Sequence, residues 1–433
     1  MPHPSRDTHR NSELVARSLA AIWHPCTQMK HHERSPLVPI VKGEGVWLID
    51  AEGTRYLDAV SSWWVNLFGH ANVRINAALK DQLDRIEHAM LAGFTHEPVI
   101  ELSERLGRLT GLGHAFYASD GASAVEIALK MSFHFWRNSG RGSKQKFISL
   151  QGSYHGETLG ALAVTDVAIF RDAYGPLLNN NLLAPFPGDD AASMAALEKM
   201  LAERHDELAA LIVEPLVQGA AGMRMYDAAW LTQARALCTQ YQVHLIADEI
   251  MTGFGRTGTM FACEQAGIRP DFMCLSKGIT GGYLPLSCVL TSDAIYAAFY
   301  DDDIARGFLH SHSYTGSALA CRAALATLDI FADDNVIEIN REKSQRFSQL
   351  AEAIRAHDRV ENFRALGMIW AFDVKTANKA FAREFFAAAL QRGVLLRPIG
   401  RTVYFMPPYV IGDDEFATLV RHTLATIEQA GLS

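Results

Sequence analysis

No stretch of the 433-residue sequence offers an uninterrupted apolar run of membrane length, which takes about 20 residues. The N-terminal segment MPHPSRDTHRNSELVARSLAAIWHP lacks the apolar core of a signal peptide. There is no long basic run, and the formal net charge is −8. Binding to a phosphate backbone needs clustered Lys and Arg, so nucleic acid is not expected as a partner. The six cysteines (Cys26, Cys238, Cys263, Cys274, Cys288, Cys321) contain no CxxC pair. That argues against a structural zinc or a disulfide frame and suits reduced thiols. Repeats and low-complexity tracts are lacking too. The expectation is a soluble, cytoplasmic protein, with no membrane partner, large enough for more than one structural unit.

What is present is order of a particular kind. GEGVWLIDAEGTRYLDA reads as two short strands around the turn AEG. From about residue 70, helices and strands alternate. RINAALKDQLDRIEHAML, SAVEIALKMSFHFWR, AASMAALEKMLAERH and AAWLTQARALCTQYQ carry apolar residues at helical spacing. HAFYAS, KFISLQG, LAALIVEP, VHLIADEI and FMCLSKG are short apolar runs bounded by Gly, Pro or acidic residues. Near-continuous apolar strands between helices imply an α/β fold with a mainly parallel sheet covered on both faces. After about residue 335 a helix, NREKSQRFSQLAEAIRAH, leads into VENFRALGMIWAFDV, VLLRPIG and TVYFMPP, a smaller α+β unit. The expected division is 1–60 as an N-terminal part of the small domain, 61–334 as the large domain and 335–433 as the rest of the small one.

Ligands of such sheets gather at the carboxyl ends of the strands. VHLIADEI ends in Asp248 and Glu249, and FMCLSKG ends in Lys277, 29 residues after Asp248. One strand–helix–strand crossover takes roughly that length, so both side chains can face one cleft. A lysine there is either a solvated strand end or an amine that forms a Schiff base, with the glycines behind it giving a cofactor room. The acid and the lysine suit pyridoxal phosphate: the amine makes the imine and the acid keeps the pyridine nitrogen protonated. Gly121-Ala122-Ser123 opens a strong helix whose free N–H groups suit an anion, although Asp120 there also reads as an ordinary cap. Tyr154 and His155 lie between glycines after a strand, as a stacking platform or a surface loop.

Two patterns point elsewhere. His310 and His312 stand at strand spacing, but no third ligand follows and no metal is expected; the Ser311 and Ser313 hydroxyls are better read as phosphate or substrate donors. GFGRTG, residues 253–258, fits G-x-G-x-x-G after a strand, yet Asp248 and Glu249 lie just upstream and the following segment is short for the required helix.

LIADEIMTGFGRTG, LSKGITGG, IVEPLVQGAAGM and GSYHGET together resemble the class III aminotransferases of pyridoxal-phosphate fold type I, from about residue 20 to the C-terminus. Within that group, IWHPCTQM, SSWW, GFTHEP, MRMY, RPIG and YFMPPY are similar to the members that pass the amino group of S-adenosylmethionine to 8-amino-7-oxononanoate in biotin synthesis. The resemblance implies a seven-stranded large domain, pyridoxal 5'-phosphate as cofactor and a homodimer with shared active sites. It implies Lys277 as Schiff-base lysine and proton carrier, Asp248 on the pyridine nitrogen and Tyr154 on the ring. Gly121 and Ala122 are implied at the phosphate, with His312 and Ser313 from the neighbouring subunit. Trp63, Trp64, Tyr154 and Ser311 are implied around the substrate, and Arg397 on its carboxylate.

Adjacent tryptophans in an extended chain would face opposite ways, so one of Trp63 and Trp64 is expected to line the site. Cys26 stands where many relatives carry tyrosine, which leaves lysine, or the donor of a general ω-amino-acid aminotransferase, as the alternative amino source. A nicotinamide-dependent oxidoreductase built on GFGRTG and a non-catalytic regulator are the readings from other classes; no basic helix-turn-helix segment supports the latter.

Overall fold

The computed structural model describes residues 9–35 and 37–430. The chain divides into two compact units. The larger comprises Arg74–Arg341 with the short return Leu366–Met368; the other comprises the chain up to Val73, Glu342–Ala365 and the chain from Ile369 onward.

The larger unit is built on seven strands: β1 (His114–Ala118), β2 (Lys146–Leu150), β3 (Leu182–Ala184), β4 (Leu208–Val213), β5 (His244–Asp248), β6 (Phe272–Leu275) and β7 (Ser287–Thr291). Their order across the sheet is β1-β7-β6-β5-β4-β2-β3. β7 runs antiparallel to both neighbours; the other pairs are parallel. Every residue of β4, β5, β6 and β7 is buried, which explains why these runs are apolar without alternation. The helix Gly121–Asn138 lays Val125, Ile127, Ala128 and Met131 into a core with Ile212, Ile246, Phe272 and Val289.

In the other unit, Ile40–Glu44, Trp47–Asp50 and Arg55–Asp58 form an antiparallel meander, and Val394–Leu395 adds in parallel to the last strand. The AEG turn is closed by Asp50, whose Oδ1 accepts from the amides of Glu52 (3.0 Å) and Thr54 (2.8 Å). N-terminal and C-terminal segments therefore share one sheet.

Two local expectations fail. The helix expected through Leu91 ends at Leu83. There the Gln82 side-chain amide donates to the Ile86 carbonyl (2.7 Å), closing a turn that the apolar spacing does not reveal. The crossover between β5 and β6 is made of turns and one short 3-10 element, Ala262–Ala266, rather than a helix. Residues 253–257 of its GFGRTG segment are buried, and the Arg256 carbonyl accepts from the Met368 amide (2.9 Å). A Cβ on Gly367 would meet the Gly258 nitrogen at 2.4 Å, so this glycine run is a packing surface for backbone.

Candidate active site

β5 and β6 pair in parallel with Asp248 opposite Cys274. The carboxyl ends of both strands therefore lie at one edge of the sheet, with Lys277 two residues past the end of β6. Lys277 is reached through Ser276, whose hydroxyl donates to the Leu286 carbonyl (2.9 Å). The lysine backbone is left-handed, φ 44°, a strained conformation for a side-chain-bearing residue and common where a functional group must be aimed. Gly281 (φ 64°) and Gly282 (φ 89°) supply the positive φ that closes the turn behind it.

Burial is the main influence on Lys277 and lowers its pKa; Asp248 and Glu214 push back, so both acids act on the ammonium. A neutral amine is therefore more accessible here than on a surface lysine.

Asp248 is buried and its Oδ2 lies 2.7 Å from His155 Nδ1, while Oδ1 accepts from the Ile250 amide (3.1 Å). This contact fixes the tautomer: if His155 is neutral, Nδ1 carries the proton and Nε2 is the acceptor. His155 Nε2 is buried without a partner among the described residues. Glu249, the other acid ending β5, is spent on structure: its oxygens accept from the Thr252 hydroxyl (2.6 Å) and the Cys263 amide (2.8 Å).

Glu214 is a candidate site residue that the sequence pattern did not single out, and the contact of His155 with Asp248 is one that it did not reveal. Glu214 ends the apolar run of β4, and its two oxygens accept from the Tyr154 amide (3.0 Å) and the Gly219 amide (2.9 Å). Burial raises its pKa to about 7; His155 opposes the shift and Asp248 adds to it. A carboxyl whose folded pKa lies above its unfolded value of 4.5 binds the proton more tightly in the native state. Its contribution to stability is complete below about 4.5 and is lost as pH rises to about 7. Across that window the apoprotein is expected to lose thermal stability relative to a Glu214→Gln variant, and the two melting curves should run parallel above it; calorimetry at stepped pH checks this.

Tyr154 is half-buried, its ring 5.3 Å from that of Phe170 and its hydroxyl donating to Glu157 (2.9 Å). Asp120 caps the helix Gly121–Asn138, accepting from the Ser123 amide (2.9 Å) and hydroxyl (2.8 Å). Among the described residues no acceptor is paired with the amides of Gly121 and Ala122, so capping by Asp120 leaves an anion site intact. A Cβ on Gly156 (φ 125°) would lie 2.6 Å from the Ala122 Cβ, so the YHGET turn can approach this helix end only as glycine.

His312, Ser311 and Ser313 lie on a loop after β7, not on a strand. His312 Nε2 is 3.0 Å from His310 Nε2, and His310 Nδ1 is 2.8 Å from Lys130 Nζ. Ser311 and Ser313 are exposed.

In the other unit, the chain at SSWW is not extended. Ser61, Ser62, Trp63 and Trp64 all have positive φ (51°, 46°, 75° and 70°), a left-handed turn. Left-handed backbone costs roughly 1–2 kcal/mol per residue, so the turn stores on the order of 4–8 kcal/mol. Trp64 is buried and its indole donates to the Tyr404 hydroxyl (3.0 Å), whereas Trp63 is 43% exposed. The Arg397 guanidinium lies 4.4 Å over the Trp63 ring and donates to the Cys26 carbonyl (3.3 Å). Cys26 contributes its backbone to that contact; its thiol is exposed and unbridged.

Residues 28–427 match the profile of the family described as aminotransferase class-III. The chain belongs to the class III aminotransferases. A Helicobacter pylori protein named adenosylmethionine-8-amino-7-oxononanoate aminotransferase is 49% identical, with 96% of this chain and 98% of the relative covered. One of the same name from Geobacter sulfurreducens is 40% identical, over 92% of this chain and 94% of the relative. The solved structure of the Methanocaldococcus jannaschii protein of that name superposes with a TM-score of 0.94 at 36% identity, covering 97% of this chain and all of the other. An omega transaminase from Pseudomonas jessenii in complex with PMP gives 0.91 at 26% identity, covering 96% and 98%.

As in its class III family, the cofactor is pyridoxal 5'-phosphate, and the site fits it. The amides of Gly121 and Ala122, unpaired among the described residues, suit a phosphate, Gly156 lets the YHGET turn pack against that helix end, and Lys277 and Asp248 supply amine and acid.

Proposed function

We propose that this chain transfers the amino group of S-adenosylmethionine to 8-amino-7-oxononanoate, giving 7,8-diaminononanoate, a step of biotin synthesis in the cytoplasm. The observation that carries the reaction type is a half-buried Lys277 whose pKa is lowered by desolvation, under the influence of Asp248, with Asp248 oriented by His155. Support for the substrates is the shared name of relatives that match along nearly the whole chain.

When bound, the cofactor supplies a covalent anchor for the amine and a ring that accepts electrons. Lys277 is assigned its attachment and the movement of the proton between substrate carbon and cofactor. Asp248 holds the proton on the ring nitrogen, and His155 keeps that carboxylate in one orientation. Tyr154 is assigned the ring face, held by its amide contact to Glu214. Gly121 and Ala122 take the phosphate through backbone N–H. Arg397 takes the substrate carboxylate, with Trp63 beside it as an apolar wall and Cys26 held close through its carbonyl. Trp64, hydrogen-bonded to Tyr404, supports that wall from behind. His312 and Ser313 complete the phosphate site of a neighbouring subunit in a homodimer, with Ser311 near the substrate. The large exposed side chains Leu309 and Tyr314 on the same loop suit a subunit interface.

The test is spectral. S-adenosylmethionine, lysine and β-alanine are added separately to the yellow holoenzyme. Only S-adenosylmethionine is expected to move the visible band to the near ultraviolet, and 8-amino-7-oxononanoate to bring it back. A response to lysine or β-alanine instead would retain the Lys277 chemistry and replace the donor.

A further inference from the structure

We infer that the buried Asp58, paired with His70, is a positioning residue for recognition of the substrate carboxylate. The inference rests on the assignment of that carboxylate to Arg397. Asp58 is fully buried and its carboxylate serves four donors: the amides of Val60 (3.3 Å) and Ser62 (3.0 Å), the Ser62 hydroxyl (2.8 Å) and His70 Nε2 (3.0 Å). His70 Nδ1 is in turn 3.2 Å from the Asn66 amide, whose oxygen accepts from Gly69 (2.8 Å). The Ser61 hydroxyl donates to the Met406 carbonyl (2.7 Å). The Ser61 and Ser62 contacts fall within the left-handed turn from Ser61 to Trp64, and those of His70 and Asn66 hold the Asp58 carboxylate that serves it.

A turn needing positive φ is made at least cost by glycine, and none of these four residues is glycine. The strain is borne by residues whose side chains have work to do. Trp64 is turned inward onto Tyr404, and Trp63 is turned outward beneath the Arg397 guanidinium. If the turn relaxed to an extended chain, the directions of these two indoles would be reset, and Arg397 would lose the aromatic face beneath it while keeping its contact with the Cys26 carbonyl. A charged, planar guanidinium held on an aromatic face presents its remaining N–H groups to a carboxylate in a fixed direction. Asp58 thus acts on the arginine through two steps, from turn to Trp63 and from Trp63 to Arg397, touching neither substrate nor cofactor.

The experiment compares 8-amino-7-oxononanoate with its methyl ester, in the holoenzyme, for wild type, Asp58→Asn, Ser62→Gly and the double variant. Asp58→Asn is expected to raise KM for the acid about tenfold, the order of a weakened charge-assisted pair, with kcat moving little and the visible cofactor band unchanged. KM for the ester should not change. Ser62→Gly, which makes positive φ inexpensive, should recover part of the loss in the double variant. Should Asp58→Asn not fold, Ser62→Val, which disfavours the left-handed turn, is expected to show the same acid-selective rise. Equal effects on acid and ester, or no effect on either in a folded holoenzyme, overturn the role of Asp58. A wild-type enzyme that does not distinguish acid from ester instead removes the Arg397 assignment, a separate outcome visible before any variant is made.

Discussion

Lys277→Ala is expected to lower kcat by at least about 10³-fold, toward the upper end of the roughly 10²–10⁴ that a positioned proton carrier supplies, since covalent anchoring is lost as well. The protein should still fold, because the lysine is a burdened group: burial lowers its pKa, and its removal takes a desolvated ammonium out of the interior. Lys277→Arg should be as inactive as alanine, because guanidinium stays protonated at any working pH and cannot become the nucleophile. Small primary amines in the buffer should restore part of the lost rate in the alanine variant and none in wild type. Restoration that follows amine basicity would identify the missing function as proton transfer. An alanine variant retaining a tenth of wild-type kcat would exclude Lys277 from the chemistry.

The parts of this site that were legible in the sequence are those governed by chain geometry. A lysine and an acid ending two apolar runs 29 residues apart must lie at one edge if the runs are adjacent parallel strands, and β5 and β6 are. The sheet itself followed from apolar runs without alternation. What was not legible depends on contacts between distant segments. His155 stood in a quoted motif, but nothing in the spacing says that its Nδ1 meets a carboxylate 93 residues away. Glu214 carries a sequence signal of the same kind: like Asp248 it closes an apolar run of the central sheet. The SSWW turn misled because aromatic residues ordinarily favour extended backbone. In its left-handed form it contacts Asp58, Met406 and Tyr404, which no local pattern reports.

Asp248→Asn is expected to lower kcat by about 10²–10³-fold, the range seen when a preorganised electrostatic partner is removed from a dry site. Asparagine has nearly the size of aspartate and keeps one oxygen for His155, so the loss should appear in rate with little change in the fold. The charge change also has a direction at its neighbours. Asp248 raises the pKa of both Lys277 and Glu214, so its neutralisation should move both downward, shifting the pH–rate profile toward acid. His155→Gln is expected to act on the same property by a weaker route, because it loosens the carboxylate without removing it. The two changes should not add. Once residue 248 is asparagine, His155 has no charge left to orient, and the double variant should be no slower than Asp248→Asn alone. Additive losses would mean that His155 serves the reaction by some contact other than its 2.7 Å bond to Asp248, and its unpartnered Nε2 would be the atom to pursue.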